Sequence, residues 1–578
     1  MEAGIKRIAI IGGGPSGMFI LKQLLDADIK LNIHIFEKSN HFGCGMPYSQ
    51  EGSGREHVTN VSGNEIPVLV TPVKDWVQTV PEETLHKNNI SRNHFNDYKV
   101  LPRLFFGEYL CGQFDLLLKE AEKKNINVVL HAETTVNDII DLPEENKVIV
   151  ETQQHAVEKF DRVIICTGHS WPKRYEGKVP GYYDSPYPPD KLKIKCNHSV
   201  ALKGASLTAI DALRTLSREH GWYEEKDDRL VYHLHRDYPY FNIVMHSRNG
   251  LMPAVRFHLE DSHLMGEGLL TEADIEKNIA ENNGFLSLDY VFKKDYVDTF
   301  KDKDPDFYND IKDLSIEQFV DKMLEYREAT DPFMLLEREY NEADVSIKLH
   351  ESVYWKEKLA VLSFAMNYPA KHFSAEDMLR LQEALKPLIA IVIAFIPQSS
   401  AKELLALHEA GLLQLVEVGQ DSRVTPHNEE GAWYYHTNEN GKEVKIHYQT
   451  YIDCTGQPHL MYEDVAFKSL LRDEVVSPAY LPFRSGREAR KVMEEGKQHV
   501  KKKGEDYLLK VPGIGITDDF QVIGGDGAAN SRIYMMAVPY IGGYNPDYSG
   551  LDFCEEASKR IVSSFIEGFK KEKTVPIK

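Results

Sequence analysis

The sequence predicts an α/β fold with two parallel-sheet units and a mainly helical insertion. Three observations predict it. An apolar strand at residues 8–11 runs into a glycine-rich turn, and a weaker copy of that pattern begins at residue 199. Between residues 257 and 386 the strand patterns stop, and apolar residues recur at helical spacing behind capping residues such as Ser315. We therefore expect two similar units and a helical segment inserted into the second.

The first glycine-rich turn has the spacing of a dinucleotide-binding turn. Gly12-x-Gly14-x-x-Gly17 follows the strand directly, a helical pattern begins behind it, and a second strand ends on Glu37. In such a motif the first glycine permits the tight turn, the second lets the backbone approach a pyrophosphate, and the third lets the helix pack against the strand. The helix start favours phosphate, and the acidic residue accepts hydrogen bonds from a ribose. We therefore predict a Rossmann-like domain that binds a dinucleotide.

The second unit is a weaker copy of the first. Its strand leads into Gly204-x-Ser206-x-x-Ala209 and a helix, with Ser206 in place of the middle glycine. The strand that follows ends beside Arg248, which would suit the 2′-phosphate of NADP, although a solvated loop residue is an equal alternative. Ala209 and Arg248 are farther apart than the usual ~20 residues, so we expect an additional hairpin between them.

The order of these patterns predicts a nested arrangement. Leu388–Phe395 is interpreted as a buried strand at which the α/β pattern resumes, and the CTG ending at 454–456 repeats the one at 166–168. Two such endings, each after its own glycine-rich turn, favour two nested nucleotide-binding units. The predicted segments are the first unit at 1–195 and 457–578, the second unit at 196–256 and 387–456, and the helical insertion at 257–386.

Composition excludes several other classes of protein. The 578 residues are too many for a single core, and 42% hydrophobic with 27% charged residues is ordinary for a folded protein. The net charge of -21 argues against nucleic-acid and anionic-membrane partners, because both require clustered Lys and Arg. The longest apolar run, 388–396, is far shorter than the ~18 residues that a transmembrane helix needs. No signal segment precedes the first strand, so we expect a cytoplasmic protein that acts on a small molecule.

These motifs together resemble those of the two-dinucleotide-binding-domain flavoproteins. The resemblance is greatest to bacterial FAD/NAD(P)-binding proteins related to the ornithine and lysine N-monooxygenases and the flavin-containing monooxygenases. GGGPSG with FEK at 36–38 is similar to their FAD fingerprint, and CTGH at 166–169 and IDCTGQ at 452–457 are similar to their paired threonine–glycine turns. GCGMPYS at 43–49 and PRLFFGEYL at 102–110 are similar to their loop and helix after the fingerprint. The resemblance implies FAD in the first unit and NADPH or NADH in the second, and it does not extend to the helical insertion.

The resemblance also implies which residues hold the cofactors. Arg103 would meet a phosphate or the flavin ring, with an ordinary ion pair as an equal alternative, and Asp526 would meet the ribitol chain or else cap a turn. The departure at Ser206 leaves pyridine-nucleotide use open. The residues implied for FAD are Gly12, Gly14, Pro15, Ser16, Gly17, Glu37, Lys38, Arg103, Thr167, Gly168 and Asp526, and those implied for NAD(P) are Gly204, Ser206, Thr208 and Arg248.

The chemistry implied is that of a flavin-dependent monooxygenase. NAD(P)H would reduce FAD, and reaction with molecular oxygen would give a hydroperoxyflavin that oxygenates a small amine or other nucleophilic metabolite. The sequence assigns no catalytic residue, no metal ligand, no particular substrate and no oligomeric state. One alternative is a non-catalytic FAD-binding redox sensor or assembly partner, and another is a flavin dehydrogenase or oxidase. The loop residues considered for a direct role are His41, His57, His169, Tyr48 and Asn60.

The spacing of the cysteines in the sequence excludes a disulfide reductase. The six cysteines form no C-x-x-C pair, which also argues against a zinc site. Cys44 lies in a loop near the predicted flavin, but Ser49 stands where a partner five residues on would be required. We therefore expect Cys44 to be a small buried residue without redox function.

Overall fold

The fold is described from a computed structural model that covers most of the chain. The residues described are 4–27, 29–154, 156–169, 171–227, 229–260, 269–438, 440–457, 459–496, 498–544 and 550–574. Within them the chain forms two larger, mainly parallel sheets, several small antiparallel sheets and a block of helices. The predicted α/β fold class, with two Rossmann-like domains and a mainly helical insertion, is confirmed.

The first unit is built around the strand Lys6–Ile11. This strand is fully apolar from Ile8 onward and buried there, as a strand covered on both faces requires. It pairs in parallel with one strand on each side. The six strands lie in the spatial order Gln521–Ile523, Ala529–Met535, Arg162–Ile165, Lys6–Ile11, Leu31–Phe36 and Asn127–His131.

The C-terminal part of the chain contributes to this first sheet. Ala529–Met535 pairs in parallel with Arg162–Ile165, with Ile533 opposite Val163. The final helix, Gly550–Thr574, packs against the helix Pro15–Leu25 that follows the first glycine-rich turn. The first unit is therefore assembled from the two ends of the chain, and the exact segment bounds given above stay a prediction.

The second unit is a five-stranded parallel sheet. Its helix Leu207–His220 follows the strand Ser199–Lys203 through the Gly204 turn. The hairpin that the sequence spacing requires is present, since Gly221–Lys226 pairs antiparallel with Arg229–Leu234. The strands lie in the spatial order Tyr182–Tyr183, Thr450–Asp453, Ser199–Lys203, Asn242–Ser247 and Leu413–Glu417.

The segment between the strands Asn242–Ser247 and Leu413–Glu417 of this sheet is mainly helical. Ser315 and Ser374 cap their helices as predicted, because each side chain accepts a hydrogen bond from the backbone N–H three residues on. The helices of the insertion and the helix after it are Glu272–Glu281, Leu288–Asp295, Pro305–Ile311, Ile316–Glu328, Pro332–Leu349, Tyr354–Ala365, Ala375–Arg380, Lys386–Ile393 and Gln398–Glu409.

The predicted strand at Leu388–Phe395 is wrong. The structure has the helix Lys386–Ile393 here, continuous through the π-helical turn Leu381–Leu385 with the helix before it. Leu388 and Val392 face the core one turn apart while Ala390 is exposed, which is a helical and not a strand pattern of burial. Because every residue of the run is apolar, periodicity could not separate a buried strand from a buried helix.

Shorter elements complete the fold. In the described part of the chain, no helix combines the length and the apolar character needed to cross a bilayer. The remaining helices are Val73–Val77, Glu82–Lys87, Arg103–Lys123, Lys468–Arg472 and Gly486–Glu495. The strand Val58–Ser62 pairs antiparallel with Val100–Pro102. Three further antiparallel sheets have three strands each, with Lys147–Thr152 between Val136–Leu142 and Val157–Phe160, Ala432–Thr437 between Arg423–Pro426 and Glu443–Tyr448, and Asp506–Ile514 between Pro478–Pro482 and Val500–Lys503.

Candidate cofactor site

Gly12 makes the tight turn at the end of the first strand. Its φ of +113° lies in a region that L side chains rarely adopt, and a Cβ there would stand 2.5 Å from the carbonyl oxygen of Cys166. A Cβ on Gly17 would clash with the carbonyl oxygen of Gly12. Gly14 caps the helix Pro15–Leu25 without a side-chain hydrogen bond, so the N–H groups of the first helical turn have no side-chain acceptor there. The close backbone approach at Gly12 and Gly17 requires glycine, and the N–H groups at the helix start are free to bind a phosphate.

The carboxylate of Glu37 is positioned by the glycine-rich turn itself. It accepts hydrogen bonds from the backbone N–H of Gly13 at 2.8 Å and of Ser39 at 2.9 Å. Each bond uses one oxygen, and a carboxylate has about four acceptor sites, so capacity remains for ribose hydroxyls. Glu37 is therefore held at the end of its strand in a position where it can serve a dinucleotide.

A cavity of about 1080 Å³ opens at this end of the first sheet. That volume suits a large, extended ligand rather than a single metabolite. Gly14 and Gly45 pack against each other in the cavity lining, since a Cβ on Gly14 would come within 3.3 Å of the Gly45 Cα, so this part of the wall is bare backbone. The residues of the predicted FAD set that line the cavity are Gly12, Gly14, Pro15, Ser16, Glu37, Lys38, Thr167 and Gly168. These residues fit FAD.

The opposite wall of the cavity was missed by sequence reasoning. The strand Ala529–Met535 ends at the cavity, where the backbone N–H of Met536 donates to the carbonyl oxygen of Ile165 at 2.9 Å. Met536 and Val538 line the cavity together with Phe553 from the final helix. The signal that could have found them is the apolar run at 533–538, which closely follows the turn containing Asp526.

Two of the residues implied for FAD lie elsewhere. Arg103 is not among the residues that line the cavity; it pairs with Asp211 of the second unit, which is the ion-pair alternative. Asp526 lies in the exposed turn between two antiparallel strands, where its carboxylate accepts from the backbone N–H of Ala528 at 2.9 Å. It therefore caps a turn, because the strand before it is an edge strand whose end points away from the cavity. At both positions the structure shows the alternative that the sequence left open, an ion pair for Arg103 and a turn cap for Asp526, and neither residue lines the cavity.

The second glycine-rich turn repeats the geometry of the first. Gly204 has a φ of +116°, and a Cβ there would stand 2.8 Å from the carbonyl oxygen of Cys454. Its backbone N–H donates to the carbonyl oxygen of His246 on the neighbouring strand at 2.8 Å. Ser206 is the exposed N-cap of the helix Leu207–His220 and makes no side-chain capping bond, and Thr208 lies in the first turn. This helix start is open to a phosphate in the same way as the first.

Arg248 lies beside that second turn. It follows the strand Asn242–Ser247, which is hydrogen-bonded to the strand leading into Gly204. The Arg248 side chain is exposed, and its guanidinium is 3.5 Å from the Oε1 atom of Gln420. The position is the one at which a dinucleotide ribose would be read, although no contact within the described residues commits Arg248 to that role.

The two threonine–glycine turns meet at one place. His169, directly after the first turn, donates from Nδ1 to the Oε1 atom of Gln457, directly after the second. Thr455 of the second turn is held by Asp453, whose Oδ1 accepts from the Thr455 hydroxyl at 2.6 Å. The carboxyl ends of both parallel sheets therefore face each other, as ligand-binding ends of open α/β sheets must if two nucleotides are to meet.

The other loop residues considered for a direct role divide into two groups. His41 and Tyr48 line the cavity. His57 is buried between the units, where its Nε2 atom lies 3.1 Å from the carbonyl oxygen of Asp211, and the carbonyl oxygen of Asn60 accepts from Arg256. His57 and Asn60 are therefore parts of the packing between elements and do not reach the cavity.

Cys44 is buried as expected, and Ser49 gives it no partner five residues on, but a cysteine from elsewhere in the chain lies beside it. Cys44 and Cys111 are in side-chain hydrogen-bond contact, and both line the cavity. The partner comes from the helix Arg103–Lys123, far from Cys44 in the sequence, so no local spacing could indicate it. The cavity wall therefore carries two neighbouring thiols that the spacing of cysteines in the sequence does not show.

Comparisons with known proteins agree with this site. Residues 9–170 match a protein-family model described as FAD-NAD(P)-binding, and residues 271–393 match one described as the YdhS-like middle domain. Over 573 residues the chain is 27% identical to the uncharacterized protein YdhS of Escherichia coli strain K12, covering 97% of this chain and 98% of that protein. The match to the YdhS-like middle domain covers most of the helical insertion, to which the family resemblance seen in the sequence does not extend.

Solved structures show a likeness in general fold. The ornithine hydroxylase PvdA of Pseudomonas aeruginosa aligns over 98% of this chain and 100% of its own, with a TM-score of 0.48 and 10% identity. The bacillithiol disulfide reductase Bdr of Staphylococcus aureus aligns over 98% of this chain and 99% of its own, with a TM-score of 0.41 and 10% identity. At these values neither likeness carries an argument about substrate or reaction.

The class of protein follows from the site and the family match together. The predicted resemblance to FAD/NAD(P)-binding flavoproteins is confirmed, as are FAD and a nicotinamide dinucleotide as cofactors. The protein is accordingly one that binds FAD and a nicotinamide dinucleotide.

Proposed function

We propose that the protein is an NAD(P)H-dependent FAD monooxygenase that acts on a small amine or another nucleophilic metabolite. One observation carries the dinucleotide part of this proposal: Gly12 and Gly204 make the same turn against Cys166 and Cys454, in two sheets whose ends face each other. A dinucleotide held in each turn would bring both reactive rings toward the same junction.

The residues around the first turn hold the flavin cofactor. The backbone at Gly12, Gly14 and Ser16 binds the diphosphate, and Glu37 accepts from the ribose next to the adenine. When bound, FAD would supply the redox chemistry. The protein's contribution is to orient the flavin ring and to control what reaches it.

The wall formed by Met536, Val538 and Phe553 restricts water at the cavity. These side chains are apolar, and Met536 and Phe553 are nearly completely buried. A monooxygenase needs such a wall, because water and stray protons divert reduced flavin and oxygen into hydrogen peroxide. Tyr48, also in the lining, packs edge-on against Phe106 and presents a hydroxyl whose pKa burial raises, so it stays a neutral hydrogen-bonding group.

The second unit supplies the reductant. Ser206 and Thr208 bind the NAD(P)H diphosphate at the helix start, and Arg248 reads the 2′-phosphate, which favours NADPH over NADH. The hydroxyl of Ser206 adds a donor at the position where the first unit has Gly14. The substrate lies near the junction of the two units, within reach of the cavity.

The test is anaerobic rapid mixing of the FAD-loaded protein with NADPH or NADH while the flavin absorbance is followed. We expect NADPH to bleach the flavin rapidly. Aeration in the presence of primary amines or other nucleophiles should then give an oxygenated product, with less hydrogen peroxide than oxygen consumed. If the flavin is bleached but all consumed oxygen appears as peroxide with every nucleophile, the protein is an oxidase or dehydrogenase. If neither nucleotide bleaches the flavin, the enzymatic proposal fails.

A further inference from the structure

Two cysteines from distant parts of the chain face each other in the wall of the cofactor cavity. Cys44 lies in the loop after the strand Leu31–Phe36, and Cys111 lies in the helix Arg103–Lys123. Gly43 brings the loop onto this helix: a Cβ there would stand 2.6 Å from the carbonyl oxygen of Leu110 and 3.2 Å from the Cα of Cys111. The loop is also fixed from the other side, since the Gly43 N–H donates to the carbonyl oxygen of Gly13 at 2.7 Å.

The two thiols are not equivalent. Cys44 is buried at 5% exposure, and Cys111 is partly exposed. The hydrogen bond from the Cys44 thiol lowers the pKa of Cys111, and the same bond together with burial raises the pKa of Cys44. Glu108 and Asp115, on the same helix, act against the lowering at Cys111. One thiol is thus more accessible and more easily ionised, and its neighbour is buried in contact with it, which is the arrangement of an attacking and a resolving cysteine.

We propose that Cys44 and Cys111 are a redox-active dithiol that is oxidised to an intrachain disulfide by exchange with a low-molecular-weight disulfide. The Cys111 thiolate attacks one sulfur of the disulfide, the S–S bond of that molecule breaks, and the first thiolate leaves. Cys44 then gives its proton to that thiolate and attacks the Cys111 sulfur; the Cys111–sulfur bond to the small molecule breaks, and the second thiolate leaves and takes up from water the proton that Cys111 lost on ionising. The two cysteines lose two electrons, and the small disulfide is reduced to two thiols. This site goes beyond the proposed oxygenase and does not depend on it.

The position of the pair gives the oxidation a structural effect. Gly45, directly after Cys44, lies against the first glycine-rich turn, since a Cβ on Gly45 would stand 3.0 Å from Cδ of Pro15 and 3.4 Å from Cα of Gly14. A Cys44–Cys111 disulfide would tie this loop to the helix Arg103–Lys123. The oxidation state of the pair therefore acts on the wall beside the cofactor diphosphate.

The chain contains its own controls. Cys166 and Cys554 also line the cavity, but burial raises the pKa of both thiols, and the Cys554 sulfur lies 3.4 Å from the Ser16 hydroxyl. Cys554 lies close enough to Cys166 to raise its pKa further, but both thiols are buried, whereas Cys111 is partly exposed and hydrogen-bonded to a thiol, so we expect Cys166 and Cys554 to be unreactive.

The experiment uses the purified full-length chain, reduced, freed of reductant and exposed to glutathione disulfide at pH 8. Remaining thiols are trapped with iodoacetamide, and intact mass and peptide mapping identify the products. We expect the wild type to lose two of its alkylatable thiols and to yield a single Cys44–Cys111 cross-linked peptide. Dithiothreitol should restore both thiols.

Three variants distinguish the steps. Cys44→Ser should stop at a stable glutathione adduct on Cys111, Cys111→Ser should not react, and Cys554→Ser should behave as the wild type. Thermal unfolding of each variant verifies that it is folded. A stable glutathione adduct on wild-type Cys111, cross-linking to any other cysteine, or no reaction of the folded wild type would overturn the proposal. Because the readout is mass, it needs neither FAD nor NAD(P)H, so failure here is separable from failure of the oxygenase proposal.

Discussion

The guanidinium of Arg103 donates two hydrogen bonds, of 2.6 and 3.1 Å, to the carboxylate of Asp211. Arg103 begins a helix of the first unit and Asp211 lies in the helix Leu207–His220 of the second, so the pair joins the two units. The hydroxyl of Tyr187 donates to the same carboxylate at 2.7 Å. Burial alone would raise the pKa of Asp211, but the charge of Arg103 brings it below its usual value.

We expect Asp211→Asn to destabilise the protein strongly. The substitution leaves the Arg103 charge buried without a counter-charge, at a cost of about 3–5 kcal/mol. The measurement is the midpoint of thermal unfolding followed by circular dichroism. The double variant Arg103→Met with Asp211→Leu should recover much of the loss, because both charges are then removed together. Arg472→Ala, which breaks an exposed pair with Asp473, is the control and should leave the unfolding midpoint almost unchanged. Equal effects of Asp211→Asn and Arg472→Ala would refute this account.

Alanine at the two equivalent glycines should separate the two cofactors. Gly12→Ala forces a Cβ against the Cys166 carbonyl and a positive φ, a strain of roughly 1–3 kcal/mol, so FAD should be lost or bind about tenfold or more weakly. Gly204→Ala meets the Cys454 carbonyl in the same way, but it should leave the FAD content unchanged and slow the reduction by NADPH. Visible absorbance of the purified variants and anaerobic NADPH titration measure the two effects. Loss of FAD in both variants, or in neither, would contradict the assignment of the turns.

Arg248→Ala should weaken the preference for NADPH. Removing a charge-assisted contact costs about 1.5–3 kcal/mol, so KM for NADPH should rise roughly tenfold or more while KM for NADH stays the same. Arg236 is a matched control, because it is also exposed but lies in the loop before the strand Asn242–Ser247, at the opposite end of the sheet. Arg236→Ala should change neither value. An unchanged NADPH preference in Arg248→Ala would remove the 2′-phosphate assignment.

The buried histidine of the second sheet should make stability depend on pH. His246 donates from Nδ1 to the carbonyl oxygen of Leu202 at 3.1 Å, the Tyr448 hydroxyl lies 3.3 Å from its Nε2, and burial lowers its pKa from 6.5 to about 4. The unfolded chain takes up a proton below pH 6.5, whereas the folded chain does so only near pH 4. The stabilisation is therefore complete above pH 6.5 and is lost as the pH falls toward 4, on the order of 3 kcal/mol in all.

The variant His246→Gln tests this dependence. Between pH 7 and pH 5 the wild type should lose about 2 kcal/mol more stability than the variant, measured by thermal unfolding at each pH. Burial lowers the pKa of His34 and of His459 to about 4 as well, but both remain in the variant and cancel in the comparison. His86→Gln, at an exposed position, controls for the loss of a histidine as such. Parallel pH profiles of His246→Gln and the wild type would refute the assignment to His246.

Features set by short stretches of sequence were the ones that could be predicted. The turn at Gly12 and its copy at Gly204 depend on a few neighbouring residues, so spacing alone placed both at the ends of parallel strands. The hairpin before Arg248 could be predicted because Ala209 and Arg248 are farther apart in the sequence than this motif usually has them. The Ser315 cap is local in the same sense.

Features set by distant contacts, or by a choice between two buried structures, could not be predicted. Cys111 lies beside Cys44 because the loop at Gly43 packs on the helix that contains Cys111. Arg103 and Asp211 form an ion pair between the two units, although they are far apart in the sequence. The run after Pro387 is apolar throughout, so its sequence did not choose between strand and helix. Pro387 at the helix start, where a missing N–H does little harm, was the available signal for the helix.

Because the strand Ala529–Met535 pairs with Arg162–Ile165, the first sheet can be completed only after the C-terminal part of the chain has been synthesised. A ribosome releases the early strands long before the late one exists, and the second unit and its helices emerge in the interval. Until the C-terminal stretch arrives, Val163 and Ile165 present an unpaired, apolar edge. The nascent polypeptide must therefore keep that edge covered, by a chaperone or by transient burial, and truncation near the C-terminus should leave the whole N-terminal half prone to aggregation.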